Sequence, residues 1–190
     1  MADKNLNVLT ICGSLRKGSY NAALIRALPA LAPAHVKLTA APPYDGLPLY
    51  NTDIQTASGF PPAAEDLATA IRGADGVLIV SPEYNWTIPG GLKNAIDWVS
   101  RMKDQPFKDK PVAIQSASMG ALGGARMQYH MRMTLTYLSA HIFGTPEILV
   151  AAAHTKFDEK TLELKDEPTK TIVKQQLEAF AKYIERVSAK

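Results

Sequence analysis

The chain has 190 residues, of which 46% are hydrophobic and 21% charged, enough for one well-buried core and too few for two generous ones. Its net charge of +3 is spread along the sequence, which suits small anionic ligands and argues against nucleic acid as a partner. One cysteine, Cys12, inside an apolar run, leaves no disulfide framework or cysteine metal cluster and reads as a buried strand residue.

No apolar run approaches the roughly 18 residues of a membrane span, and the first residues, MADKNLNVLTI, lack a basic region followed by a long apolar segment and a cleavage-like site. A cytoplasmic protein off the membrane, one domain over residues 1–190, is the expectation. Branched apolar runs at Asn7 to Cys12, Val36 to Ala40, Gly76 to Ser81, Pro111 to Ala117 and Glu147 to Ala151 read as five strands. Helical segments fall between them: Asn21 to Leu31, Ala63 to Gly73, Pro89 to Met102 and Ala125 to Ser139. A last helix, Lys170 to Val187, carries Ile172, Leu177, Phe180 and Ile184 as one apolar stripe. Strands alternating with helices imply a parallel sheet covered on both faces.

The connection from Ala41 to Phe60 is long and irregular, and it reads either as an ordered lid or subunit contact or as a surface loop. On the fourth helix, Met127, Met131, Met133 and Tyr137 read as a core stripe. Lys93 and Asp97, four apart, read as a helix-surface pair of a few tenths of a kcal/mol.

After the first strand, Gly13 to Gly18 is rich in small residues, hydroxyls and cations, and a helix begins just beyond Ser19. Free backbone N–H groups and the positive end of a helix dipole make such a junction an anion site. Ser14 and Ser19 add hydroxyl donors, and Arg16 adds a planar fork suited to phosphate oxygens. The two glycines have P-loop spacing, but Ser19 stands where that motif requires lysine, which excludes an ATPase or kinase. No G-x-G-x-x-G follows the first strand, so a Rossmann dinucleotide site is not expected.

In an open parallel sheet, ligands bind beyond the carboxyl ends of the strands, where strand order reverses. The loops after strands one, three and four, at residues 13–21, 81–86 and 116–124, should therefore converge. Phosphate donors, an aromatic turn and a glycine-rich loop together outline a pocket for flavin mononucleotide (FMN). His35, His130, His141 and His154 have no metal-like spacing, so no metal site is expected.

The stretches GSLRKGSYN (13–21), PLYNTD (48–53), SPEYNWTIPGGLKNAIDWVSR (81–101), SMGALGGARMQYHMR (118–132) and the Pro146–Glu147 pair carry a closer signal. Through them the chain resembles the NADPH-dependent FMN reductase family, in particular its bacterial quinone and chromate reductases. The resemblance implies a flavodoxin-like three-layer α/β sandwich with sheet order 2-1-3-4-5, a bound FMN, and NADPH or NADH as co-substrate. It assigns Ser14, Arg16, Ser19, Tyr20 and Asn21 to the phosphate, Pro82, Glu83, Tyr84 and Asn85 to the ring and ribityl chain, and Ser118 and Gly120 to the ring from the other loop. No protein side chain is assigned a catalytic role, since the flavin carries the hydride chemistry.

Tyr50, Asp53, Arg101, Arg126, Tyr129 and Glu147 correspond to substrate or subunit contacts in a homodimer or homotetramer. Trp86 departs from the smaller aromatic that relatives carry there, which implies a reshaped entrance. Quinones are the expected acceptors, with chromate, azo, nitro and flavin compounds as side substrates. The rival reading from another class is a flavodoxin-type electron carrier without nicotinamide activity.

Overall fold

The computed structural model describes residues 5–188. Strands β1 (Leu6–Cys12), β2 (Val36–Ala40), β3 (Gly76–Val80) and β4 (Pro111–Ala117) form a parallel sheet in the order β2-β1-β3-β4. The position beyond β4 is shared by β5 (His141–Ile142), which pairs with Pro111 and Val112, and β6 (Ile148–Val150), which pairs with Gln115 to Ala117. Both lie parallel to β4, so the fifth strand of a 2-1-3-4-5 sheet is present but broken in two. The first piece went unread because two residues are too short for any alternation to register.

Alternation along the strands sends side chains to two opposite cores. Leu9, Ile11, Val77, Ile79, Val112 and Ile114 pack on one face, under α3 (Pro62–Gly73), α4 (Gly90–Val99) and α5 (Ala125–Tyr137). Leu6, Val8, Leu78, Val80 and Ala113 pack on the other, under α1 (Tyr20–Ala27) and α6 (Glu167–Ser188). Every residue of β3 and β4 is buried, as central strands covered on both faces require.

The apolar stripe of α6 is Val173, Leu177, Phe180, Ala181 and Ile184. Ile172, expected in that stripe, is only half-buried, because the face turned to the sheet is centred one residue further on. On α5 the expected stripe divides: Met127 and Met131 are buried, joined by Leu135 from outside it, whereas Met133 is 64% and Tyr137 88% exposed. The expectation of a core stripe was wrong for these two, which point away from the sheet.

The connection between β2 and β3 is ordered. Tyr44 is buried and its hydroxyl donates to the Cys12 carbonyl at 2.6 Å. Trp98 Nε1 and Asn94 Nδ2 donate to the Pro48 carbonyl at 2.7 and 2.9 Å, and Tyr50 N donates to Asn94 Oδ1 at 2.8 Å, strapping the segment onto α4. It also contains a helix the sequence reading did not find, α2 (Thr52–Ser58), capped by Asn51 Oδ1 and burying none of its residues. With no buried stripe it leaves no periodic trace.

Among the described residues, no helix is long and apolar enough to cross a membrane. Phe180 is the largest side chain that α6 buries against the sheet, touching the Phe143 ring at a centroid distance of 5.5 Å. Phe180→Ala is expected to lower unfolding free energy by about 3–5 kcal/mol, read by urea denaturation; a loss below 1 kcal/mol would show that α6 does not depend on this contact.

Candidate functional site

The first loop leaves β1 at Gly13, whose N–H donates to the Val80 carbonyl at 2.8 Å. A Cβ there would lie 2.2 Å from Ser81 Oγ and 2.9 Å from Ser81 Cα, so only glycine lets the exits of β1 and β3 approach this closely. Ser19 then caps α1, its Oγ accepting from Asn21 N at 3.1 Å and Ala22 N at 3.4 Å. Within the loop, the backbone N–H groups of Leu15, Lys17 and Gly18 have no acceptor among the described hydrogen bonds. Together with the α1 dipole they form an anion-ready concavity.

Asn21 acts differently from what the sequence suggested. Its Nδ2 donates to the Ala117 carbonyl and its Oδ1 accepts from Ala117 N, both at 2.9 Å, in a buried position. The amide is fully occupied and clamps the start of α1 to the end of β4, so Asn21 positions the first loop and does not offer its side chain to a ligand.

The second loop runs from Ser81 into a two-residue hairpin. Tyr84 N donates to Thr87 O at 3.1 Å and Thr87 N to Tyr84 O at 3.0 Å, with Asn85 at φ 48° and Trp86 at φ 69°. Two consecutive left-handed residues make this a type I′ turn. Before it, Glu83 Oε2 accepts from Met127 N at 3.2 Å and Oε1 from Arg126 Nη1 at 3.4 Å, placing the carboxylate at the positive end of α5. The third loop, residues 118–124, is held by Ser118 N to Val150 O at 3.0 Å and by Ser116 Oγ to Gly123 O at 2.6 Å. Gly120 N donates to Ser118 Oγ at 3.1 Å.

The three loops enclose a cleft of about 360 Å³. Ser14, Arg16, Ser19, Tyr20, Asn21, Pro82, Glu83, Tyr84 and Ser118 border it; Asn85, in the turn beyond Tyr84, and Gly120 do not. Ala117 and Met119 also border it. Both lie within the third loop expected to converge here, beside Ser118 in the chain, but neither was singled out as a site residue. Burial pushes the Cys12 thiol up from its ordinary range, so the one cysteine is held as the unreactive thiol.

The residues expected to contact substrate or a second subunit separate into several places. The Arg101 guanidinium lies 5.0 Å from the centroid of the Tyr50 ring, whose edge meets Trp98 at 5.1 Å. Asp53 sits exposed in the first turn of α2. Arg126 is beside the cleft, between Glu83 and the Trp86 ring, and Tyr129 is exposed one turn further along α5. Glu147 pairs with Arg132 at 3.2 Å. A larger cavity, about 630 Å³, runs between α4 and α5 and includes Leu49, Tyr50, His130 and Met133. It is assembled from elements distant in sequence, which is why no motif announced it.

A family model described as NADPH-dependent FMN reductase matches residues 6–155. The chain belongs to that family. Over 187 residues it is 50% identical to a quinone reductase of Escherichia coli, covering 98% of this chain and 99% of the relative. It is 44% identical over 183 residues to an NAD(P)H-dependent FMN reductase of Pseudomonas aeruginosa, covering 96% and 97% of the two chains. Among solved structures, a flavoenzyme NAD(P)H:(acceptor) oxidoreductase from Paracoccus denitrificans superimposes with a TM-score of 0.84 at 31% identity, covering 95% of this chain and 98% of that one.

Family membership brings FMN as cofactor and a reduced nicotinamide as reductant. The donor set of the cleft fits that cofactor: unpaired N–H groups and a cationic fork suit a single phosphate, and Pro82 and Tyr84 offer flat walls. Two substitutions should separate binding from support. Arg16→Ala is expected to weaken FMN retention about tenfold with unchanged apoprotein stability. Asn21→Ala should weaken both, since each backbone group left unpaired at Ala117 costs on the order of 1–3 kcal/mol. Thermal unfolding with and without added FMN checks the pair; a stable Asn21→Ala apoprotein would remove the clamp.

Proposed function

We propose that this chain is an NAD(P)H-dependent quinone reductase, with the three-loop cleft as its FMN site and the whole chain as one FMN-binding unit. When bound there, FMN supplies the redox chemistry, taking a hydride from NADPH or NADH and returning two electrons to an acceptor. The net reaction consumes reduced nicotinamide, a proton and a quinone and yields oxidised nicotinamide and hydroquinone. The residues of the chain bind, orient and exclude. Loop 13–19 receives the phosphate, while Pro82 to Tyr84 and Ser118 to Met119 border the ring.

The observation that carries this reading is the state of Glu83. It is the one carboxylate bordering the cleft, and both its oxygens are engaged, by the backbone of α5 and by Arg126. Glu83 thus holds the second loop against α5, and the redox chemistry is left to the cofactor, in line with relatives named for quinone reduction. Quinones are the main acceptors in this reading, and chromate, azo, nitro and free flavin compounds are side substrates. The cytoplasm, where reduced nicotinamides are regenerated, is its compartment. An electron carrier without nicotinamide activity is not favoured by these relatives.

In the same reading, a second copy covers the α4–α5 groove, giving a homodimer or a homotetramer. Leu49 at 81% and Met133 at 64% exposed stand with Tyr50 and the buried Ile88 at this cavity, an apolar surface that a partner would cover. Arg101 and Tyr50 then lie where a nicotinamide nucleotide bound near the interface meets them, and Tyr129 and Glu147 serve a further contact between pairs.

Initial rates with NADPH and a quinone are expected to give parallel double-reciprocal lines, because donor and acceptor use one cleft in turn; intersecting lines would refute the alternation. A yellow protein that oxidises neither NADPH nor NADH with quinone would support the carrier instead. The double variant Leu49→Glu with Met133→Glu is expected to reduce the mass seen by analytical ultracentrifugation to that of the monomer. An unchanged mass would move the interface elsewhere.

A further inference from the structure

At the end of the sheet where β4 begins, away from the cleft, a pocket of about 350 Å³ opens between the last turn of α3 and the segment leading into β4. Arg72, Lys103, Lys108 and Lys110 line it together with a single carboxylate, Asp104. The basic residues of the chain are otherwise spread along the sequence, so this concavity holds a local excess of positive charge. Lys110 immediately precedes β4, and Ala117, the last residue of that strand, borders the cleft. At roughly 3.3 Å per strand residue the two sites are about 23 Å apart.

Two of the four cations are tied to the fold. The Arg72 guanidinium donates through Nε and Nη2 to the Asp104 carbonyl at 3.2 and 2.9 Å. The half-buried Lys110 ammonium closes the end of α3, donating to the carbonyls of Arg72 and Ala74. Lys103 and Lys108 are exposed and have no hydrogen-bond or ion-pair partner among the described residues. The segment that carries them is nevertheless fixed from below. Phe107 is buried and its N–H donates to Gln105 Oε1 at 2.9 Å, Gln105 Nε2 donates to the Leu138 carbonyl, and Asp109 N donates to Ser139 O at 2.9 Å. Folding therefore gathers the four cations before any ligand arrives. Burial pushes the Lys110 ammonium down from its ordinary range, with Asp75 opposing the shift, so a further negative charge nearby would restore part of what Lys110 loses on leaving water.

We propose that this pocket is a second ligand site, for small molecules that carry a pyrophosphate group. Lys103 and Lys108 supply free ammonium groups, and Arg72 offers Nη1, which has no acceptor among the described hydrogen bonds. Four cations against one carboxylate call for a ligand with several negative charges, and the cavity has room for two linked tetrahedral groups. Its concave shape suits a small molecule better than the flat surface of a membrane. The inference is independent of what the cleft binds, and the separation of the two sites keeps an occupant here clear of the redox chemistry in the cleft of the same chain.

The test is isothermal titration of the FMN-loaded protein with inorganic pyrophosphate at fixed ionic strength, cofactor occupancy keeping the first loop out of reach. One site per chain is expected, at least about tenfold tighter for pyrophosphate than for sulfate. Lys103→Ala with Lys108→Ala should weaken it about tenfold or more, whereas Lys103→Arg with Lys108→Arg should keep it. Neither lysine supports the fold, so thermal unfolding and FMN retention should match wild type in both double variants. Undiminished binding in the double alanine variant overturns the inference, as does equal affinity for sulfate and pyrophosphate, which would reduce the pocket to a general attraction for anions. Binding to phosphatidylglycerol vesicles that pyrophosphate fails to displace also overturns it, since the face would then belong to a membrane surface.

Discussion

One paired hydrogen bond holds the working end of this molecule together. The Asn21 side chain both donates to and accepts from the backbone of Ala117, and in doing so joins the start of α1 to the end of β4 across the intervening strand β3. A side-chain amide carries a donor and an acceptor side by side, so Asn21 satisfies both the N–H and the C=O of Ala117. Because the pair is buried, losing it leaves two backbone groups without water, and that penalty makes the separation of the first and third loops stiff. The second loop is drawn against the first by the bare Cα of Gly13 at Ser81. All the cleft geometry follows from these two constraints.

A second consequence is the way charge is arranged around the cleft. Glu83 is anchored at the positive end of α5, where it pairs with Arg126, whose guanidinium in turn lies over the Trp86 ring. The chain therefore presents N–H groups and a cation to the phosphate end and flat, largely uncharged surfaces elsewhere. Such a division suits a cofactor with one charged end and one planar end, and it leaves electron transfer to the cofactor itself. Tyr44 supports the arrangement from beneath: burial pushes its phenol well above the ordinary range, so it remains a donor to the Cys12 carbonyl at the root of the first loop.

The strands of the central sheet were legible because each is a short run of branched apolar residues bounded by turn formers, and the phosphate loop because its hydroxyls, glycines and following helix are adjacent in the chain. What escaped did so for physical reasons. α2 buries nothing, so it carries no stripe, and β5 is only two residues long. The outward turn of Met133 and Tyr137 was misjudged because methionine and tyrosine suit a core and an interface equally. Tyr50 and Arg101 were each singled out, but nothing in their spacing says that they stack.

By itself, then, the amino-acid sequence determined much of what depends on neighbours within a turn or a strand: the alternation of the longer strands and helices, the anion loop before the helix that follows Ser19, and through its motifs the family. Tertiary structure alone decided which distant groups meet. Asn21 and Ala117 are 96 positions apart, and Glu83 and Arg126 are 43 apart. Their partnership exists only once β1, β3 and β4 lie side by side, because strand order brings the loop ends together and leaves each polar group the partner it finds there.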